Sequence, residues 1–445
     1  MGNNIKSFVI MTLGCKVNQE EGAAIAALFL DAGYCEADFS ASADIYIINT
    51  CTVTQLADRK SRQMIRRALN ISPPPFVIVT GCYAQTSADD VAGIEGVDLI
   101  IGTEEKARIV EIAEKYLAGK DADTAVPAKE ISDIGKARVF RQIESSSRGQ
   151  KRARAYLKIE DGCEQFCTYC IVPYARGPVR SLPVDKAVKE AKQLLAAGHK
   201  EIVLSGIHVG AYGRDLPDTD LVMLIKELLP LSGLRRLRIG SIEPQQVDDR
   251  LIALMAAEPA ICRHLHIPLQ SGGDNILKAM NRHYTTAEYR VLTDKLRSCF
   301  PDIAITTDIM CGFPGEGEDD FLASARFIED IGFADMHIFP YSPRAGTPAA
   351  VFPNQVPSKI KDSRTAKIKA IATESRERYM SGFIGACLDI LPEYETEISG
   401  RKFRFGHSGN YLPVLFDGDT GGEDICRVMI TGLSENYLWG SAAPK

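Results

Sequence analysis

Three cysteines on one short run, Gly162-Cys163-Glu164-Gln165-Phe166-Cys167-Thr168-Tyr169-Cys170, constrain this chain more than any other feature. The C-x3-C-x2-C spacing puts three thiolates on a single loop. Thiolates are the usual ligands of iron–sulfur clusters, and a fully protected cubane needs four of them. Three can hold three irons and leave the fourth without a protein ligand. An open position of that kind is what separates catalytic from structural metal sites. A zinc knuckle completed by a distant fourth ligand, or a disulfide loop, is the alternative reading of the same residues.

At 445 residues the chain is long for one hydrophobic core, so two or three domains are expected. Hydrophobic residues at 45% and charged residues at 25% are ordinary for a soluble globular protein. A net charge of −6 argues against a generic nucleic-acid coat but leaves room for a local basic path. No apolar stretch reaches the ~18–20 residues of a membrane span. Phe8-Val9-Ile10-Met11-Thr12-Leu13-Gly14-Cys15 ends like a lipoprotein cleavage box, with Lys6 as the sole charge before it. Its apolar part is too short for a secretory segment. It reads as a buried strand, and a cytoplasmic location is expected. Twelve cysteines in a cytoplasmic enzyme point to metal binding before disulfides.

Residues 1–118 alternate short β-rich runs (8–13, 45–49, 76–80, 97–101) with helical patterns near 20–32, 55–69 and 104–118 and a weaker one at 85–95. That rhythm predicts βαβ units and an open parallel α/β sheet. Three of the strands end alike, in Leu13-Gly14-Cys15, Asn49-Thr50-Cys51 and Thr80-Gly81-Cys82. Open α/β sheets bind ligands outside the carboxyl ends of their strands, so these cysteines could meet at one point. A coincidental trio of buried thiols is the bland alternative. Residues 119–150, with Ser145-Ser146-Ser147-Arg148-Gly149-Gln150, read as a linker. Residues 151–352 carry a second βα series, with strands at 155–160, 201–206, 236–240, 265–269, 304–310 and 335–339. It suits an open, partial (βα)6 barrel. Residues 353–383 read as a basic helical tether (Lys359, Lys361, Arg364, Lys367, Lys369, Arg376, Arg378), and 384–445 as a small all-β barrel.

The cysteine loop resembles that of the radical S-adenosylmethionine (SAM) superfamily. There the amino and carboxylate groups of SAM chelate the bare iron, and one electron cleaves the sulfonium to a 5′-deoxyadenosyl radical. Two trios in order, Cys15, Cys51 and Cys82, then Cys163, Cys167 and Cys170, resemble the methylthiotransferase family of that superfamily over essentially the whole chain. The resemblance implies an N-terminal α/β domain with an auxiliary cluster, a central radical SAM barrel and a C-terminal TRAM barrel. It also implies two 4Fe-4S clusters, and two SAM molecules per turnover, one as methyl donor and one as radical source. Cys35, Cys262, Cys299, Cys311, Cys387 and Cys426 match no ligand position and are expected to be core or inert.

Local strings point to one branch. Thr12-Leu13-Gly14-Cys15-Lys16-Val17-Asn18-Gln19 is similar to the branch acting on N6-threonylcarbamoyladenosine in tRNA. The isopentenyladenosine branch typically carries a Gly-Cys-Gln-Met-Asn-like run, and the ribosomal-protein branch a Gly-Cys-Pro-Lys-Asn-like run. Asn49-Thr50-Cys51-Thr52-Val53-Thr54, Ala57-Asp58-Arg59-Lys60-Ser61-Arg62, Ile171-Val172-Pro173-Tyr174-Ala175-Arg176-Gly177 and Gly406-His407-Ser408-Gly409-Asn410-Tyr411 point the same way. The implied reaction replaces the C2–H of that adenine by C–S–CH3 in the nucleotide just 3′ of the anticodon. Implied partners are tRNA carrying threonylcarbamoyladenosine, a flavodoxin-like or similar electron donor, and a sulfur donor that the sequence does not identify. The rival of another class is an RNA-binding module with structural iron or zinc.

For SAM the resemblance implies Tyr169, Ser205 and Gly206, then Ser241 and Glu243, then Gln270, then Asp308 and Gly312, all at carboxyl ends of barrel strands, where sites on such barrels collect. Loop packing is the plain role for Tyr169, and a solvated carboxylate for Glu243. Ser271-Gly272-Gly273 departs from the family, which more often has serine after the first glycine. His208, His266 and His337 are expected to be hydrogen-bonded core residues. RNA contacts should be mostly to phosphates, from Arg59, Lys60, Arg62, Arg66 and Arg67, from Lys151, Arg152 and Arg154, and from the tether. The tail from Gly385 has five Lys/Arg against nine Asp/Glu, so its RNA contact is assigned to stacking on Phe403, Phe405, His407 and Tyr411.

Overall fold

The computed structural model of the chain describes residues 6–39, 42–118, 126–143, 153–398, 400–418 and 424–443. Strands β1 Ser7–Thr12, β2 Cys35–Glu36, β3 Ile45–Thr50, β4 Phe76–Gly81, β5 Leu99–Ile101 and β6 Ala128–Glu130 form one parallel sheet, in the order β2-β1-β3-β4-β5-β6. Every residue of β3 and β4 is buried, as befits parallel strands covered on both faces. Side chains alternate between those faces. Ile45 and Ile47 meet helices α1 Lys16–Asp31 on one side. Tyr46 and Ile48 meet α2 Gln55–Leu69, α3 Cys82–Thr86 and α4 Ala88–Ala92 on the other. Helix α5 Ile109–Ala118 joins α1 on the first face. Helices α1 and α2 thus leave β1 and β3 toward opposite faces, and a crevice opens at the carboxyl ends where the strand order reverses.

Two expectations need correction here. The supposed linker 119–150 contains β6, whose Ala128–Glu130 pairs with Leu99–Ile101 and completes the sheet. Its polar Ala-Lys-Glu sequence carries no apolar run to announce a strand. Residues 145–150 lie outside the described residues. The weak pattern at 85–95 is two short helices broken at Ser87 (φ −138°).

The second domain starts with β7 Arg154–Lys158. A two-residue antiparallel pair, β8 Glu160–Asp161 and β9 Arg180–Ser181, then closes the base of the cysteine loop, which also holds α6 Val172–Arg176. Strands β10 Glu201–Ser205, β11 Arg236–Ile239, β12 His264–His266, β13 Ala304–Cys311 and β14 Asp335–Pro340 follow. They form two three-stranded parallel sets, β7-β10-β11 and β12-β13-β14, linked by the bridges Leu237↔Ile261 and Ser241↔His266. The result is the expected open six-stranded barrel. Outside it lie α7 Val184–Ala196, α8 Leu221–Leu228, α9 Asp249–Ala257, α10 Asp274–Ala279, α11 Thr286–Cys299, α12 Glu318–Ile331 and α13 Ser358–Ser381.

Helix α13 occupies the stretch read as a tether, and it is the barrel's last helix. Ile368 and Ala372 enter the barrel core, Arg364 is buried on Glu316, and Ser375 Oγ donates to the Phe333 carbonyl at 2.7 Å. Its exposed lysines hide that narrow apolar stripe from a sequence reading. The tail is a closed barrel of β15 Cys387–Ile398, β16 Arg401–Ser408, β17 Pro413–Asp417, β18 Cys426–Leu433 and β19 Leu438–Ala442, in the order β15-β16-β17-β19-β18. Its core holds Ile390, Val414, Phe416, Val428 and Ile430. Arg236 and Arg238 of β11 dock it by donating to the carbonyls of His407 (3.1 Å) and Gly409 (3.0 Å). Of the six other cysteines, Cys262, Cys311 and Cys426 are buried, Cys387 is half-buried, and Cys35 and Cys299 are exposed.

Candidate active site

Strands β1, β3 and β4 are sheet neighbours, about 4.8 Å apart, and their carboxyl ends lead into Cys15, Cys51 and Cys82. Two glycines allow this convergence. Gly14 has φ +98°, and a Cβ there would lie 2.6 Å from Cys51 Sγ; Gly81 has φ +97°, and a Cβ would lie 2.3 Å from the Thr50 carbonyl oxygen. Only a residue without a side chain fits at positive φ in that space. Gly81→Ala is therefore expected to cost about 1–3 kcal/mol and to lower the iron held at this trio, checked by thermal denaturation and iron content of the full chain. Asn18 ties the strand ends together, donating to the carbonyls of Leu13 (2.6 Å) and Thr50 (3.2 Å).

The second trio hangs from the β8–β9 base. Cys163 N donates to Gly177 O (3.0 Å) and Thr168 N to Met280 O (3.0 Å). Asn281 Nδ2 donates to the carbonyls of Gln165 and Phe166, each at 3.2 Å. Arg282 Nη1 donates to Cys167 Sγ at 3.4 Å while the same guanidinium grips Glu243. Glu243 is thus an ion-paired group, not the solvated carboxylate that was its plain alternative. Burial pushes the Cys163 thiol up to about 12 and the Cys51 thiol up to about 11. The fold therefore presents neutral thiols, which a metal must deprotonate on binding. His208 lies 3.9 Å from Cys163 Sγ and bonds Gln246; burial lowers it to about 4, so it is neutral.

The thiol spacing tests which metal group fits. Thiolates on one tetrahedral zinc, with bonds of about 2.3 Å, lie within roughly 4 Å of each other. Among the described residues one set of three His, Cys, Asp or Glu ligand atoms lies within 4.8 Å, and it is His266, Asp308 and His337, not either cysteine trio. All the cysteines are free thiols. Neither trio forms such a set or a disulfide, and two groups of three thiols each suit a cluster in which every thiolate takes its own iron.

Both trios address one cavity of about 980 Å³. Cys15, Cys163, Cys167 and Cys170 line it, with Tyr169, Ser205, Gly206, Ser241, Glu243, Gln270 and Asp308. Cys51 and Cys82 are buried and do not line it. Gln270 has φ +65°, and its buried Oε1 has no partner among the described residues, which leaves an acceptor open beside the cavity. Ser205 Oγ donates to Glu20 of α1. Gly312 is the exception: it does not line the cavity, and a Cβ there would lie 2.2 Å from the Lys361 stem of α13. Its glycine serves helix docking. His266 and His337, expected to be hydrogen-bonded core residues, are bonded, each to Asp308 at 3.3 Å, but they line the cavity, His266 half-buried and His337 exposed.

Sequence reasoning missed the charged hub between the first two domains. Arg176, fully buried, donates to Cys82 Sγ (3.3 Å) and Glu21 Oε2 (3.0 Å), and pairs with Asp161 at 3.4 Å. Glu21 also receives Lys106 and Lys158. Arg176 and Asn18 stood inside strings already singled out, but nothing in one sequence says that charges 155 positions apart meet.

The RNA candidates divide. Arg59, Lys60, Arg66 and Arg67 are exposed on α2. Arg62 donates to the Tyr83 hydroxyl at 3.0 Å. Arg154 is not a surface cation: it is buried against Glu393. Lys151 and Arg152 lie outside the described residues. Phe405 stacks on exposed Tyr394, with centroids 4.9 Å apart. Tyr411 is corrected. A turn with φ +66° points it into the cavity, where its ring lies 5.0 Å from His264 and 4.7 Å from His407, so it is no outward stacking platform.

Comparisons with known proteins agree with this geometry. The model of the Radical SAM superfamily matches residues 157–328, and that of Uncharacterized protein family UPF0004 matches residues 7–102. The threonylcarbamoyladenosine tRNA methylthiotransferase MtaB of Bacillus subtilis is 42% identical over 409 residues, covering 92% of this chain and 89% of that protein. A tRNA-2-methylthio-N(6)-dimethylallyladenosine synthase of Akkermansia muciniphila is 33% identical over 452 residues, 98% of each chain. Among solved structures, the radical SAM methyltransferase TsrM of Kitasatospora setae, with cobalamin and a 4Fe-4S cluster bound, has a TM-score of 0.55 at 16% identity. That match covers 78% of this chain and 77% of TsrM, and it is a likeness of fold.

Proposed function

The chain belongs to the methylthiotransferase family of radical SAM enzymes, and from that premise we propose that it methylthiolates C2 of N6-threonylcarbamoyladenosine in tRNA, beside the anticodon. The observation that carries this is one cavity lined by the whole barrel trio and by Cys15 of the N-terminal trio. An adenine C2–H is inert to any side-chain base, so cofactors must carry the hard step. Two 4Fe-4S clusters and SAM supply it when bound: a 5′-deoxyadenosyl radical at the barrel trio and transferable sulfur at the N-terminal one.

The chain's residues hold and orient those groups. Cys163, Cys167 and Cys170 would ligate the barrel cluster, and Cys15, Cys51 and Cys82 the auxiliary one. Arg282 and Arg176 each donate to one thiol sulfur, contacts that tune charge at such centres. Tyr169, Ser205, Gly206, Ser241, Gln270 and Asp308 form the bed for SAM, with Glu243 steadying Arg282. The exposed cations of α2 serve RNA phosphates. A flavodoxin-like or similar reductant and a separate sulfur donor complete the cycle. The location we assign is the cytoplasm, where such tRNA is found; no helix among the described residues is long and apolar enough to cross a membrane.

The higher identity to the threonylcarbamoyladenosine relative, and the run Lys16-Val17-Asn18, favour this substrate over isopentenyladenosine. Reconstituted protein, SAM, dithionite and threonylcarbamoylated tRNA, incubated without oxygen, are expected to give the 2-methylthio nucleoside by mass spectrometry. Product from isopentenylated tRNA alone would overturn the substrate assignment.

A further inference from the structure

Lys16 follows Cys15 directly, opens helix α1, is exposed, and lines the cavity. Its Nζ lies 5.7 Å from the centre of the Tyr411 ring, on which Arg154 and Arg238 also bear, at 5.0 and 4.7 Å. The two arginines are answered by carboxylates, Arg154 by Glu393 and Arg238 by Glu201. Lys16 has no carboxylate partner among the described residues. Arg376 of α13, which also lines the cavity without a carboxylate partner among the described residues, donates to the Asn436 carbonyl at 2.9 Å, so Lys16 is the unpaired cation that adjoins Cys15 and can attract an anion entering there.

Resting on the substrate reading above, we propose that Lys16 is the specificity-determining contact for the carboxylate of the threonylcarbamoyl group. To react, C2 of the adenine must approach the N-terminal trio, whose cavity-facing member is Cys15. In adenine, C2 and the carbon bearing N6 are both bonded to N1. A substituent on N6 that folds along this edge stays beside C2, within the span of the lysine stem that starts at the next residue. RNA phosphates remain outside with the sugar chain, so the substituent's carboxylate is the anion that enters with the base. An isopentenyl group is uncharged and offers Lys16 nothing to pair with.

The test compares kcat/KM for tRNA carrying threonylcarbamoyladenosine with that for the same tRNA bearing unmodified adenosine. Wild type, Lys16→Gln and Lys16→Arg are assayed as full-length reconstituted protein, with iron and sulfide measured on each. A site built to pair a substrate's polar group discriminates against the analogue that lacks it. Lys16→Gln should lower the ratio of the two kcat/KM values on the order of 10- to 100-fold, at undiminished iron and sulfide, and Lys16→Arg should restore most of it. An equal ratio in wild type and Lys16→Gln would overturn the proposal. So would a parallel fall on both tRNAs, or a fall explained by lost iron. Failure of wild type itself on threonylcarbamoylated tRNA would overturn the substrate reading and this inference together, and it shows before any substitution is made.

Discussion

Alanine at any one of Cys163, Cys167 or Cys170 is expected to abolish 5′-deoxyadenosine formation, with a drop from about eight irons per chain to about four. The reason is geometric. The loop offers three thiols and no spare ligand, and each would hold one iron; Arg282 and the Asn281 turn fix where those thiols point. Losing one thiol opens a second corner and removes an anchor. Alanine at Cys15, Cys51 or Cys82 should give the complementary result: SAM is still cleaved to 5′-deoxyadenosine under dithionite, but no methylthio nucleoside forms. Chromatography of the nucleosides and of the SAM products in one reaction separates the two outcomes. Methylthio product from a Cys15→Ala protein would refute the sulfur-transfer role of the N-terminal trio. Zinc at one or two per chain in place of iron would favour the structural RNA-binding rival.

Glu21→Ala is expected to destabilise the protein by about 3–5 kcal/mol, the usual effect of removing one partner from a buried ionic group. Burial opposes ionisation of Glu21, yet Arg176, Lys106 and Lys158 together hold its carboxyl well below the usual range. Remove it and Lys106 keeps no carboxylate partner among the described residues, while Asp161 is left to answer Lys158 and Arg176. Because the folded-state value is depressed, the contribution is complete above the unfolded value near 4.5 and is lost as pH falls through the folded value. Denaturant titrations of wild type and Glu21→Ala at pH 7 should show the full gap, and the gap should narrow as the solution is acidified below 4.5. The exposed pair Arg108–Glu111 serves as control, since solvent screens it. Equal effects at the two sites would mean that Glu21 does not bind the domains together. Glu21 sits between Asn18, which ties the strand ends, and Arg176, which touches Cys82, so this substitution should also lower iron at the N-terminal trio.

The comparison of sequence with structure is informative where it fails. Strands β3 and β4 were legible because parallel strands buried on both faces are apolar runs, and the barrel strands, such as Arg236-Leu237-Arg238-Ile239, because short apolar-bearing segments recur between helical patterns. The closed β-barrel of the tail was legible from its alternation, as in Cys426, Val428 and Ile430. Strand β6 was missed because an edge strand of Ala, Lys and Glu has little to bury. Helix α13 was misjudged because its basic residues mask the narrow stripe of Ile368, Ala372 and Met380 that docks it. Tyr411 was assigned to the outside because nothing local reveals that a left-handed turn aims it inward.

By itself the sequence determined the chemistry: six thiols in two trios of set spacing, and the strand rhythm that puts each trio at a carboxyl edge. Ligand type and secondary structure are local properties, written in neighbouring residues. Tertiary structure alone decided that the barrel trio and Cys15 line one cavity, that Glu21 gathers three cations from distant segments, and that Lys16 stands there without a carboxylate. Those facts depend on which surfaces pack together, and packing joins residues whose separation along the chain carries no trace of the contact.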